Sequence, residues 1–327
     1  MASLVPVLIH PSQFPEQVQQ DLLRSLRLHQ IKHKFHYDSY RQTQKWLALH
    51  RAYSPARTNP DYEAVYDSSF AAAAGRITSP RATVIGLGCG GGQKDTRLLR
   101  LLAQHGKPAL YLPCDVSTAM VLVAQETASP VAAGCRPIVF DLELTDDLPA
   151  ILSDVAPRDS NRIITFFGML PNFEPRTVMS RLAAVLVPGD SLLLSANLAP
   201  GADYEAGMRT ILPQYHNAMT RDWLNTFLSD LGSEPTDGEI RFDIEDCPQS
   251  TGAKRVTAHY QFRTRRILET GGERFEFQAG DTLRLFFSYR YTPCLVEDVL
   301  SQYQIAVLDH WITRSEEEGV FLCSKIA

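Results

Sequence analysis

Hydrophobic positions recur along this chain in two rhythms, and the change from one to the other divides it. Val18, Leu22 and Leu26 fall at i, i+4 and i+8 with Glu16, Gln19, Gln20 and Arg24 on the other face, which predicts a helix over Ser12 to His29 with Pro15 in its first turn. From Lys32 to Ala74 the pattern gives way to aromatics among polar residues (Phe35, His36, Tyr37, Tyr40, Trp46, Tyr53, Tyr62, Tyr66), punctuated by Pro55 and Pro60. That composition suits a cap better than a sheet. Between Arg81 and Ser195 short apolar runs alternate with helical stretches. Thr83 to Leu87, Ala109 to Leu112, Pro137 to Phe140, Arg162 to Phe167 and Ser191 to Ser195 read as strands. Thr96 to His105, Ala119 to Glu126 and Arg176 to Val187 read as the helices between them.

This rhythm predicts an α/β, Rossmann-like, doubly wound sheet. After Asn197 the chain reads as a loop, a helix around Thr220 to Leu231, and then strands. Val256, Ala258, Tyr260 and Phe262 share one face, Phe275 and Phe277 follow a Gly271-Gly272 turn, and Thr282 to Tyr291 forms a further strand. Val307 to Thr313 and Gly319 to Ile326 predict a terminal antiparallel hairpin. The expected organisation is a helical and aromatic cap over 1–74, a core of 75–196 with 294–327, and a smaller inserted α+β domain over 197–293. No internal repeat or low-complexity segment is present.

The chain has 327 residues, enough for one large domain or two interlocked ones, and 44% hydrophobic residues are ample for a buried core. Its net charge of −5 argues against a nucleic-acid partner held by a basic face and favours a small molecule. The six cysteines, at 89, 114, 135, 247, 294 and 323, form no CxxC pair, so reduced thiols and no metal centre are expected. The N-terminus lacks a secretory pattern and no apolar run is long enough to span a bilayer. A cytoplasmic location without membrane attachment is the expectation, and the oligomeric state is left open, a monomer being compatible with it.

The strongest chemical signal is Val84 to Lys94, a strand running through Gly86, Gly88, Gly90, Gly91 and Gly92 into a helix. Glycines let the backbone approach a ligand closely and the helix start offers unpaired N–H groups. Gly86, Gly88 and Gly91 formally fit G-x-G-x-x-G, which keeps a nicotinamide-dependent oxidoreductase open. Asp115, closing the next strand, can accept hydrogen bonds from two ribose hydroxyls or cap the following helix. Asp141, after the third strand, stands where an adenine amino group could be read. One glycine-rich and two acidic loops in a row fit S-adenosylmethionine (SAM) better than a dinucleotide.

These residues resemble the SAM-dependent histidine-specific Nα-methyltransferases, typified by the enzyme that makes hercynine in ergothioneine biosynthesis. Lys34-Phe35-His36-Tyr37-Asp38 is similar to the family's Tyr-Asp start, and Ala52-Tyr53-Ser54-Pro55-Ala56-Arg57-Thr58 to its Tyr-Tyr-Pro-Thr-Arg segment. The two loops at Gly88 and Asp115 resemble its cofactor loops. Phe167 to Asn172 resembles its Gly-to-Asn segment, one residue shorter, and Leu186 to Asp190 followed by Leu192 to Leu194 its next strand. The resemblance covers roughly Lys34 to Lys325. It implies Gly88, Cys89, Gly90, Lys94, Asp115, Val116, Asp141 and Leu142 around SAM. It also implies Tyr37 and Tyr53 as catalytic and substrate residues, with Gly168, Asn172, Tyr215, Ala258, Phe286 and Ser288 lining the amino acid; Tyr204 is the alternative to Tyr215.

Three departures stand out. Phe286 occupies the place of the family's Glu, which holds the histidine imidazole, while Ser288 is retained. Ala258 replaces a Met, and Gly86 replaces the acid common in the first loop. Losing a charge-assisted hydrogen bond costs on the order of 1.5 to 3 kcal/mol, enough to undo histidine selectivity. His259 falls on the face opposite Ala258 and reads as structural. Both changes at 258 and 286 make that end of the pocket more apolar and Ala258 enlarges it, so the expected activity is N-methylation of the α-amino group of an amino acid or close analogue with a different side chain, larger or aromatic. Histidine itself and a non-catalytic SAM-binding role are the alternatives.

Overall fold

The computed structural model describes residues 4–53, 59–157, 159–249 and 251–326. These residues fall into two compact units, one of 4–13, 59–198 and 291–326, the other of 14–53, 199–249 and 251–290.

The first unit is built on a nine-stranded sheet. Its strands are β1 (Leu8–Ile9), β2 (Ala82–Leu87), β3 (Ala109–Asp115), β4 (Gly134–Cys135), β5 (Ile138–Val139), β6 (Asn161–Phe166) and β7 (Ser191–Asn197), and the terminal pair β13 (Ile305–Ile312) and β14 (Glu318–Lys325). The order is β1-β5-β3-β2-β6-β7-β14-β13, with β4 beside β3. All six residues of β2 are buried, as a central parallel strand covered on both sides requires. The chain runs outward from β2 through β3 to β5 and then returns to β6 on the other side of β2. That reversal puts a ligand crevice at the carboxyl ends of these strands. β14 enters antiparallel between β7 and β13. The helices are α3 (Pro60–Gly75), α4 (Gln93–Gln104), α5 (Thr118–Ala128), α6 (Leu148–Val155), α7 (Pro175–Val185) and α10 (Pro293–Ser301).

The second unit contains α1 (Pro15–Arg27), α2 (Tyr40–Tyr53), α8 (Tyr204–Ile211) and α9 (Ala218–Asp230). With them is an antiparallel sheet of β8 (Gly238–Asp246), β9 (Lys254–Phe262) and β12 (Thr282–Arg290), in the order β12-β9-β8. A separate hairpin, β10 (Arg266–Thr270) and β11 (Glu273–Phe277), turns at Gly271-Gly272, both at positive φ. The free edge of β12 is closed by the 29–36 segment. Arg284 N–H donates to His29 O at 3.0 Å, and Ile31 N–H to Arg284 O at 2.8 Å. His36 Nε2 then donates to Leu285 O at 2.6 Å, and Phe287 N–H donates to His33 Nε2 at 3.3 Å. Two histidines thus replace a neighbouring strand where β12 carries a bulge between Arg284 and Phe286.

The residues expected to form a cap over 1–74 are divided between the units. Tyr62 and Tyr66, read with the covering aromatics, lie on α3 and are buried with Val65, Phe70 and Ala73 against the first unit's sheet. Their spacing of four puts both on one helix face, and an apolar sheet face is what that stripe covers. The loop expected after Asn197 contains α8, begun by Asp203, whose carboxylate accepts from Ala206 N–H at 3.0 Å.

Candidate active site

The glycine run joins β2 to α4. Gly88 and Gly92 adopt φ of +66° and +71°. A Cβ on Gly92 would stand only 2.8 Å from the Ala124 backbone, which leaves no room there, whereas at Gly88 it would meet the movable end of Met169 and positive φ is what calls for glycine. Positive φ falls at 88, 90 and 92 within this run, a different use of the glycines from the formal 86, 88, 91 spacing. Cys89 N–H donates to Cys114 O at 3.0 Å, tying the loop to the end of β3. Burial pushes the Cys89 thiol well above its ordinary range, so it stays protonated.

Asp115 closes β3 and accepts from Gly90 N–H at 3.1 Å and Ser117 N–H at 3.0 Å. Ser117, not Asp115, precedes the first turn of α5 as its cap residue. Burial raises the Asp115 carboxyl to about 6, against the opposing pull of those N–H groups and that of Val116. Asp141 follows β5 and is buried; its Oδ1 accepts from Glu143 N–H at 2.9 Å and its own N–H donates to Ser12 Oγ at 3.0 Å. Leu142 beside it is buried. Gly88, Cys89, Gly90, Asp115 and Val116 therefore come together at the ends of β2 and β3, while Asp141 and Leu142 follow the neighbouring β5.

Lys94, in the first turn of α4, donates to the Tyr66 hydroxyl and lies 4.1 Å from the centre of its ring. The Tyr66 hydroxyl in turn donates to Glu318 of β14, and Lys94 Nζ is 3.5 Å from that carboxylate. Burial, and then the Glu318 charge, keep the Tyr66 phenol protonated, well above its usual range. Ser195 of β7 is also hydrogen-bonded to Tyr66, and its hydroxyl accepts from Gly168 N–H at 2.8 Å. Gly168 is exposed at φ +71°, and Asn172 ends the short 3-10 turn Leu170–Asn172 beyond it. Tyr66, Ser195 and Glu318 did not stand out in the sequence.

In the second unit Tyr37, Tyr215, Ala258 and Phe286 pack in or against one apolar cluster. Phe286 of β12 is paired directly with Ala258 of β9. Its ring lies 6.1 Å from Tyr215, 5.8 Å from Trp223 and 4.8 Å from His33. Tyr37 meets Trp46 and Trp223 at 5.7 and 5.8 Å. Ser288 is buried two positions beyond Phe286, on the same face of the strand. The Tyr215 hydroxyl accepts from Arg290 at 3.1 Å. The Tyr204 hydroxyl is occupied by backbone, donating to Arg290 O at 2.6 Å and accepting from Lys254 N–H at 2.7 Å. It clamps β9 to β12. His259 bonds Glu245 at 3.0 Å on the other face, in keeping with its structural reading. Tyr53 is the last residue of α2; its side chain and residues 54–58 lie outside the described residues. Among the described residues no group of three or more His, Cys, Asp or Glu could hold a metal, and no helix is long and apolar enough to cross a membrane.

An open, mostly parallel sheet with an antiparallel β14 set beside β7, a glycine loop after β2 and a partly buried acid closing β3 defines a class I SAM-dependent methyltransferase. The donor set fits the cofactor: three glycines at positive φ keep the loop free of side chains, and the Asp115 carboxylate stands beside it as an acceptor. The chain belongs to the SAM-dependent, histidine-specific methyltransferase family, whose profile matches residues 18–325. No curated protein matches it. Similar solved structures include the CcbJ methyltransferase from Streptomyces caelestis (14% identity, 80% of this chain and 89% of that one, TM-score 0.40). Another is the 1,6-didemethyltoxoflavin-N1-methyltransferase of Burkholderia thailandensis, bound to its acceptor and S-adenosylhomocysteine (11%, 88% and 89%, 0.41). A third is the N,N-8-amino-8-demethyl-D-riboflavin dimethyltransferase of Streptomyces davawensis (12%, 95% and 70%, 0.46).

Proposed function

We propose that this enzyme methylates the α-amino nitrogen of a free amino acid, or a close analogue, whose side chain is aromatic and uncharged rather than an imidazole. The observation that carries this reading is the Phe286–Ala258 pair, set among Tyr215 and Trp223 where the family resemblance implies a carboxylate for histidine. An aromatic face gains from edge and offset contacts with further rings, whereas a polar imidazole brought there loses hydrogen bonds to water without replacing them.

When bound, SAM supplies a methyl carbon on a sulfonium, open to in-line attack by a neutral amine. The Gly88–Gly92 loop, Asp115 and Asp141 would hold the nucleoside end, with Cys89, Val116 and Leu142 beside them and Lys94, itself paired with Tyr66 and Glu318, at the start of the following helix. Asn172 can donate its side-chain amide to the substrate's carboxylate. The family resemblance implies Tyr37 and Tyr53 as the residues whose hydroxyls accept a hydrogen bond from the amine, with Gly168 and Tyr215 in the substrate set. Alignment of this kind accounts for most of the acceleration in such a displacement, and an amine that arrives deprotonated needs no strong base.

The test is a mass-spectrometric screen of purified protein with SAM and each proteinogenic amino acid, scoring methyl mass gains and S-adenosylhomocysteine release. A methylated aromatic amino acid other than histidine is expected. Trimethylated histidine as the sole product would sink the specificity argument and point to Ser288 as the remaining imidazole partner. Bound SAM with no product across the panel would move the assignment to a non-catalytic role or a modified acceptor.

A further inference from the structure

Gly86 sits in the middle of the sheet, in β2, between Pro113 of β3 and Thr165 of β6, and its φ is not left-handed. Backbone conformation therefore does not explain the glycine. Space does. A Cβ built there would lie 2.3 Å from Oδ2 of Asp95 and 3.2 Å from the Tyr111 hydroxyl. Asp95 comes from the third residue of α4 and is 3% exposed. Its carboxylate accepts from the Tyr111 hydroxyl of β3 at 2.6 Å and from Thr165 Oγ1 of β6 at 2.7 Å. Burial raises this carboxyl, and the two hydroxyls oppose the shift by favouring its charged form.

Burying a carboxylate is costly unless its lone pairs are satisfied, and three elements here contribute to keeping one. Those elements are the two strands that flank β2 and the helix that leaves the glycine loop. Between the strand residue whose side chain is missing and the carboxylate that fills its place runs the Gly88–Gly92 segment. We propose that Asp95 is a positioning residue for SAM: from the helix it supplies the buried carboxylate that would otherwise stand on the strand at position 86, and so fixes the shape of the loop between them. The 2.3 Å from the Gly86 Cβ position to Oδ2 is close to the Cβ–Oδ distance within an aspartate, so a carboxylate grafted at 86 can bring one oxygen to the same place. The inference rests on the cofactor loop alone and is independent of which amine is methylated.

The experiment measures S-adenosylhomocysteine affinity by calorimetry, with a thermal melt on every protein, for wild type, Asp95→Ala, Asp95→Asn and the relocated pair Gly86→Asp with Asp95→Ala. Expected are at least a tenfold loss of affinity in Asp95→Ala and a return to within about threefold of wild type in the relocated pair, which a merely structural defect would not show. A folded Asp95→Ala that binds within twofold of wild type overturns the proposal. So does a relocated pair that melts like wild type but stays as weak as Asp95→Ala. If Asp95→Ala does not fold, Asp95→Asn decides: a wild-type melt with at least tenfold weaker binding supports the proposal, a wild-type melt with binding within twofold overturns it, and failure of Asp95→Asn to fold makes Asp95 a folding residue and overturns it.

Discussion

SAM affinity should fall on the acid side of neutrality, and the group responsible is Asp115. To take ribose hydroxyls the carboxylate must be ionised, because only then are both oxygens acceptors. In the free protein burial holds its pKa at about 6, well above the ordinary 3.8, despite N–H donors from Ser117, Gly90 and Val116. Binding must therefore remove the proton first. Each pH unit below about 6 costs roughly tenfold in affinity, or about 1.4 kcal/mol, so near pH 5 the dissociation constant should be about ten times its value near pH 7.5. Calorimetric titration with S-adenosylhomocysteine over that range reads this directly. Asp115→Asn should bind at least tenfold more weakly near neutrality and lose the slope, since its amide offers one acceptor in place of two and does not titrate. A wild-type affinity flat down to about pH 5, or a slope that survives in the Asn protein, would refute the assignment and move the titration elsewhere.

Three other outcomes are expected. Phe286→Glu should raise kcat/KM for histidine at least tenfold relative to wild type and lower it for the aromatic acceptor proposed above; an unchanged ratio would show that this strand position does not choose the side chain. Glu318→Gln should raise the KM for SAM about fivefold with kcat nearly unchanged, because Lys94 then loses the ion pair that, with Tyr66, holds its ammonium beside the glycine loop. His36, buried and donating from Nε2 to Leu285, has its pKa lowered from 6.5 to about 4, first by burial. The unfolded chain therefore takes up this proton more readily. The stability it represents is complete above pH 6.5 and is lost as pH falls toward 4, with about 2 kcal/mol gone near pH 5. Urea unfolding of wild type and His36→Asn near pH 7 and pH 5 should show wild type losing that much more than the variant; equal losses would place the titration on another group.

The parallel core was readable because its central strands, β2 and β6 above all, carry short apolar stretches, Val84-Ile85 and Ile163-Ile164, each strand being followed by a glycine turn. Strands exposed on one face were not all readable. β8 buries Gly238, Ile240 and Phe242 but turns Glu239, Arg241 and Asp243 outward, and that charged alternation resembles a loop. α8 and α10 did carry signals, Asp203 and Thr292 ahead of helical positions, the second followed by Pro293 at the first turn. At the site, the residues that announce themselves are those whose type is unusual for their place, such as five glycines in seven positions or an acid closing an apolar strand. Tyr66 was hidden among other aromatics, since nothing local tells a tyrosine over a sheet from one over a substrate. Asp95 was hidden because an acid in the first turn of a helix is what the helix dipole favours anyway. Only Gly86, a glycine without a turn to make, pointed to it.

The substitutions at 258 and 286 are best understood as one change. Taken separately, Ala258 enlarges a pocket and Phe286 removes a carboxylate. The register makes them directly opposed residues on neighbouring antiparallel strands, where Cβ atoms stand about 5 Å apart and side chains share one volume. Against the methionine and glutamate that the resemblance implies at these positions, alanine frees space on one strand that phenylalanine takes up on the other, and both residues lie within the apolar cluster, 0% and 7% exposed. The exchange keeps total volume near constant while replacing polar recognition by an aromatic surface, the kind of compensated change that packed interiors accept at low cost. On the reading proposed above, position 286 would act on selectivity through what the surface can hydrogen-bond and stack against, which is what Phe286→Glu tests.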